Sequence, residues 1–359
     1  MNFTHRQIHQ SRLRRRTTGS GPLVVLVLTL LTGCNGGGAL DQRLDDYLQR
    51  LARSLGQTLL HAEAPADLKL PRPRALQIPL ETASLNMLEF VELSQCELHR
   101  VIAARNSSLG KLAVPSQDLL QQLDFLKHVD SCLALISDDH PALAEKLRRA
   151  AIHKQQALPT YLWRATLGGA EFRAFWGRDS NDTDYPANAD SRTDFALTHL
   201  NQMTQGILDG NYEIDAVEFH EALAVLRNQE GGALQHGWSR AHVAMDSARR
   251  LMTERLDRQP LCYPDMVNHQ ARIFRTVITD YFVKQVQPLL AALNRRYYDI
   301  MPRVRQLETR LASAEPEAYR DYRQQRDTQL DQAHASVAQH IRQAAPLLAQ
   351  CGFLPSVDS

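Results

Sequence analysis

No stretch of this 359-residue sequence is apolar for long enough to cross a bilayer. A spanning helix needs roughly 20 such residues, and the longest run, Pro22–Leu31 (PLVVLVLTLL), has about ten. Charge of one sign is lacking too: 41 basic side chains face 40 acidic ones. That balance argues against nucleic acid as a partner, which requires a basic footprint. No alternating run of β-branched residues is present, aromatics are 6% of the chain, and no repeat of fixed period occurs, so neither a sheet nor a solenoid is expected. The hydrolase elbow G-x-S-x-G is missing. His220-Glu221 opens like a zinc-protease helix, but Ala224 stands where the second histidine belongs. Ser108-Leu-Gly-Lys111 has neither the upstream glycine nor the Ser/Thr of a phosphate loop. No C-x-x-C pair exists, so no structural zinc site is expected. Asp179, Asn181 and Asp190 match three positions of a calcium loop, but Asp184 occupies the position that needs glycine. Neither a metal nor a cofactor is expected.

What is present begins at the N-terminus. Arg12, Arg14, Arg15 and Arg16 precede the short apolar run, and Leu31-Thr32-Gly33-Cys34 follows it. A basic segment, a short apolar segment and small residues before a cysteine form the pattern of a lipoprotein signal peptide, residues 1–33, with Cys34 as the lipidated residue. Several acyl chains on that residue would anchor the protein stably, whereas one gives marginal binding. Asn35 in place of Asp favours the periplasmic face of the outer membrane over the inner membrane. Removing residues 1–33 takes away five arginines and no acid, leaving 41 − 5 = 36 basic and 40 acidic groups, a net charge of −4. Residues 34–40 form a short Gly-rich tether, so the body should sit close to the bilayer.

Residues 41–355 read as one all-α, multi-helix bundle-like domain, optionally two helical lobes hinged at 177–194, a polar stretch rich in Asp, Asn and Ser. Leu44, Tyr47, Leu48, Leu51 and Leu55 share one helical face. The proline-rich stretch 65–79 should run extended. Further helices are predicted over 84–105, 116–136, 141–154, 159–176, 193–208, 215–229, 233–258, 266–299 with a kink at Pro288, and 315–350. Trp163, Trp176 and Trp238 are expected in the core.

Four cysteines remain after Cys34: Cys96, Cys132, Cys262 and Cys351. An even number in an oxidising compartment suggests two disulfides, for which three pairings are possible. Cys96–Cys132 and Cys262–Cys351 are favoured, with buried free thiols as the alternative. The first pair would staple consecutive antiparallel helices, and levelling it requires the first helix to run on to about Leu112. Among polar segments, Arg105-Asn106-Ser107-Ser108-Leu109-Gly110-Lys111 stands out. It carries two cations near a helix–helix turn, so Arg105, Asn106, Ser107 and Lys111 are candidates to meet a small anion or a partner, besides holding the turn itself.

The lipobox, Cys96, Arg105–Lys111, Pro115-Ser116, Cys132, Leu158-Pro159, Leu261-Cys262 and Cys351-Gly352-Phe353 together resemble an uncharacterised family of Gram-negative lipoproteins, a domain of unknown function. The resemblance spans roughly 40–355, implies a helical envelope lipoprotein, and supplies no catalytic residue. The expected function is that of a membrane-anchored, non-enzymatic binding or scaffolding protein of the cell envelope, with an envelope protein as a candidate partner. The alternative is an envelope enzyme acting on a cell-wall or lipid substrate. A deep cleft with converging polar groups such as Arg105 or His220 would favour the alternative; a broad apolar patch would favour the first.

Overall fold

The computed structural model describes residues 38–66, 68–80, 87–177, 184–263 and 266–353. The signal segment and Cys34 lie outside them. Among the described residues the regular elements are helices, with no strand beyond one isolated bridge between Tyr263 and Met266. The α-helices are α1 (Ala39–Leu55), α2 (Met87–Glu92), α3 (Glu97–Asn106), α4 (Pro115–Ile136), α5 (Pro141–Ala165), α6 (Ala170–Phe175), α7 (Arg192–Leu208), α8 (Ala216–Val225), α9 (Glu230–Arg258), α10 (His269–Thr276), α11 (Gln287–Arg310) and α12 (Glu317–Ala349).

The long helices α9 and α12 pack along each other, with α1 on α9 and α7 on α11. The apolar face of α1 is buried as its spacing predicts: Leu44, Tyr47, Leu48, Leu51 and Leu55 all lose contact with solvent. That helix already starts at Ala39, and Leu40 is buried, so the tether gives way to the folded body two residues earlier than expected. Trp163, Trp176 and Trp238 are core residues. Burying side chains of this size supplies roughly 1.5–3 kcal/mol each, the main force holding such an assembly.

Several element boundaries differ from the expected ones, each for a local reason. Residues 141–154 and 159–176 are not two helices divided at Pro159. Instead α5 runs through Pro159 and ends before Gly168-Gly169. The carbonyl that loses its partner there belongs to exposed Gln155, where water can replace it. The helix expected over 84–105 is split, because Cys96 takes an extended backbone and caps a new start at Glu97. Helix α9 begins before Ala233, at Glu230, and so takes in Gly231 and Gly232 in its first turn. A Cβ on Gly232 would stand 1.7 Å from the Gly177 carbonyl oxygen, so the close approach of these segments excludes a side chain there. Upstream of Pro288 the chain widens into a π-helix, Val277–Val286, between α10 and α11. This wide turn suits a residue that lacks an N–H and crowds the carbonyl four residues back.

The described residues from 38 to 353 belong to one compact unit, and the described part of the 177–194 stretch is tied to its body. Tyr185 in that stretch is buried, Arg296 donates to the Asp190 carbonyl at 3.1 Å, and Arg303 pairs with Asp194 at 2.7 Å. Helix α1, from before it, packs on α9, from after it.

Both expected disulfides are present, Cys96–Cys132 and Cys262–Cys351, each with Cα atoms 5.2 Å apart. The first reaches level without the helix extension: α3 stops at Asn106, and the remaining height is covered by residues 107–114 with a short 3₁₀ turn at Gly110–Leu112. The resulting α3–α4 pair is antiparallel, and α5 returns along α4.

Candidate functional site

Helices α3, α4 and α5 enclose a cavity of about 490 Å³ at the end where the 107–114 turn joins α3 to α4. Its walls come from helical faces that each sequence segment can present only once folded. Val101, Ile102, Arg105 and Asn106 extend from α3, Asp118, Gln121, Gln122 and Phe125 from α4, and Lys146, Leu147, Ala150, Lys154 and Arg164 from α5. Gly110, Lys111 and Ala113 close the turn side. A Cβ on Gly110 would lie 2.3 Å from the Ala104 carbonyl oxygen, so the turn folds tightly under α3 only because that residue is glycine.

Three of the four residues singled out in the Arg105–Lys111 segment line this cavity: Arg105, Asn106 and Lys111. Ser107 does not. Its hydroxyl donates to the Ala104 carbonyl at 2.7 Å and accepts from the Gly110 N–H at 3.0 Å, so it holds the turn. His220 lies elsewhere, half-buried on α8 with Nδ1 2.7 Å from the Ala216 carbonyl oxygen. Cys34, Asp179 and Asn181 fall outside the described residues.

The residues that the sequence did not single out are Lys154, Gln122, Asp118, Lys146 and Arg164. Lys154 is only 7% exposed although it is a lysine. Its ammonium donates to Gln122 Oε1 and lies 4.9 Å from the centre of the Phe125 ring. Gln122, fully buried, donates from Nε2 to Asp118 Oδ1 at 2.8 Å, and Asp118 Oδ2 stands 3.6 Å from Arg164. Lys146 is paired outside the cavity with Glu89 at 2.7 Å.

Five cations therefore line the cavity against one carboxylate, and counting Glu89 as well leaves 5 − 2 = 3 positive charges in excess. Among the described residues no carboxylate forms a salt bridge with Arg105, Lys111 or Lys154. Burial, and then the neighbouring Arg105, lower the Lys154 ammonium from the ordinary 10.5 to about 8, with Asp118 opposing. A buried cation with no counter-charge is costly, and an ammonium has three N–H donors, of which Gln122 takes one. The arrangement is suited to receive an anion with several acceptor oxygens. Among the described residues the cavity lining includes no Ser, Thr, Cys, His or Tyr.

A signal for Lys154 was readable. The buried stripe of α5 runs Leu147, Ala151, Lys154, Leu158, Tyr161 and Ala165, at helical spacing, so this lysine falls on the apolar face. Gln122 occupies the corresponding stripe of α4 beside Leu119, Leu123 and Leu126.

Among the described residues no group of three or more His, Cys, Asp or Glu stands ready to hold a metal, and no helix is long and apolar enough to cross a membrane. No curated protein and no solved structure matches the chain. A family model described as protein of unknown function (DUF3080) matches residues 44–355, most of the body described above, and the chain belongs to that family.

Proposed function

We propose that the protein is a lipid-anchored envelope lipoprotein, attached through Cys34 at the periplasmic face of the outer membrane, whose helical body is a non-enzymatic binding module that accepts an anionic group in the α3–α4–α5 cavity. The anchor rests on the order of basic segment, short apolar run and Leu31-Thr32-Gly33-Cys34. The binding role rests on one observation above all: Lys154 is buried beside Arg105 with no carboxylate partner, in a cavity of the size that small ligands occupy. An envelope protein carrying an exposed acidic group would satisfy the same cations, and crosslinking in intact cells would identify it.

Two measurements test the two halves. Replacing Cys34 by Ser should move the protein from membrane to soluble fractions; unchanged membrane association would refute the anchor. Titration calorimetry of the purified Cys34→Ser protein with inorganic phosphate and pyrophosphate should show saturable binding that weakens with salt and is lost in Lys154→Met. Absence of binding to both ions would refute the anion site. The enzymatic alternative has two features in its favour: the cavity itself, where polar groups including Arg105 converge, and the Lys154 amine, which at a pKa of about 8 is partly neutral in mild alkali and able to act as a base. It predicts turnover of a substrate, where the binding reading predicts stoichiometric complex formation.

A further inference from the structure

The turn that closes the cavity is apolar on its outer side. Leu109 is 84% exposed and Leu112 80%, and Val114 follows at 53%. Single exposed leucines are ordinary. Here three large aliphatic side chains fall within six residues, alternating with Gly110, Lys111 and Ala113, which line the cavity. The same short turn thus presents cationic and small residues inward and aliphatic residues outward.

We propose that the cavity takes the phosphate headgroup of an anionic lipid, whose acyl chains lie outside it across Leu109, Leu112 and Val114. This rests on the anion-binding reading above and adds the remainder of the ligand. Volume decides where the chains go. At roughly 30 Å³ per water-sized volume, a cavity of about 490 Å³ holds about 16 such volumes. A phosphate with its glycerol fits that space; two long acyl chains do not fit with it. Charge decides the headgroup. Arg105, Lys111 and Lys154 supply three cations without carboxylate partners, on a chain whose residues after 33 carry a net charge of 36 − 40 = −4. A phosphate monoester offers the charge and the several acceptor oxygens that such a group of donors requires. A free phosphate ligand would satisfy the cations equally but would leave the rim without a role.

The test uses three soluble probes on the purified Cys34→Ser protein: glycerol 3-phosphate (headgroup alone), dihexanoyl phosphatidic acid below its micelle concentration (headgroup with short chains), and dihexanoyl phosphatidylcholine (chains with no net charge). The expected result is that dihexanoyl phosphatidic acid binds at least about ten-fold tighter than glycerol 3-phosphate, as burial of roughly two methylenes would supply, and that the choline lipid binds far more weakly than either. The double variant Leu109→Asn, Leu112→Asn changes only exposed side chains. It should bring phosphatidic acid down to the affinity of glycerol 3-phosphate and leave glycerol 3-phosphate unchanged. Equal affinity for the two phosphate probes, or a rim variant with unaltered lipid affinity, would overturn the lipid while leaving the anion site standing. Choline lipid binding as tightly as phosphatidic acid would overturn the headgroup assignment. Failure of both phosphate probes to bind would remove the lipid and the anion site together.

Discussion

Replacing Lys154 by Met isolates the cation on which the site depends. In the folded protein its pKa is about 8, against an ordinary 10.5. Between those values the unfolded chain holds the proton more firmly than the folded one, so the lysine makes stability rise with pH across that window. At about 1.4 kcal/mol per unit, the full difference is about 3.4 kcal/mol, of which about 2.5 kcal/mol develops between pH ~7 and pH ~10. Met fills the same volume without a charge. It also deprives Gln122 Oε1 of its donor, at a cost of about 1–3 kcal/mol that does not vary with pH. The decisive quantity is therefore the wild-type minus variant difference in unfolding free energy, from urea titrations at several pH values, in which the Gln122 contribution cancels. The wild type should gain about 2.5 kcal/mol on the variant from pH ~7 to pH ~10. A difference that stays flat would mean that Lys154 is solvated as in the unfolded chain. The argument for an uncompensated cation would then fail. Phosphate binding should follow the same group and weaken as pH rises past about 8.

Two further predictions concern the core. Arg326, fully buried, grips Glu308 through two bonds of 2.7 and 3.0 Å, and Tyr319 donates to the same carboxylate at 2.8 Å. Arg326→Met should cost about 3–5 kcal/mol by leaving a buried carboxylate without its cation, and adding Glu308→Gln should recover much of it. Urea midpoints that fail to separate the single from the double variant would refute this. His340 is buried with Nε2 3.0 Å from the Tyr47 hydroxyl, and burial lowers its pKa from 6.5 to about 4. Folded His340 resists a proton that the unfolded chain accepts, so stability should fall by up to about 3 kcal/mol as pH drops from about 6.5 to 4. His340→Phe should show a shallower acid loss over that range, measured by the same titrations.

The helical class, the burial of the α1 face, the core tryptophans and both cysteine pairings were legible in the sequence because each rests on short-range periodicity or on a small number of combinations. The elements that were misplaced are those where a tertiary neighbour overrode a local preference. Helix α5 passes through Pro159, where the residue four positions back, Gln155, is exposed and water can replace the lost bond. Helix α9 accepts Gly231 and Gly232 at its start because Phe175 and Trp176 pack against the first and Gly177 against the second. Tyr185 draws a polar stretch into the core, where the composition of 177–194 suggests a free loop.

The site divides along the same line. Sequence alone determined that Arg105, Asn106 and Lys111 form a polar cluster at a turn, since neighbours in the chain are neighbours in space. Only the tertiary structure decided that Lys154, Lys146 and Arg164 face that cluster, because α5 returns along α4 from some 40 residues away. A net charge of −4 over residues 34–359 conceals three unpaired cations in one cavity, since net charge is a sum over the chain and the field at a site depends on position.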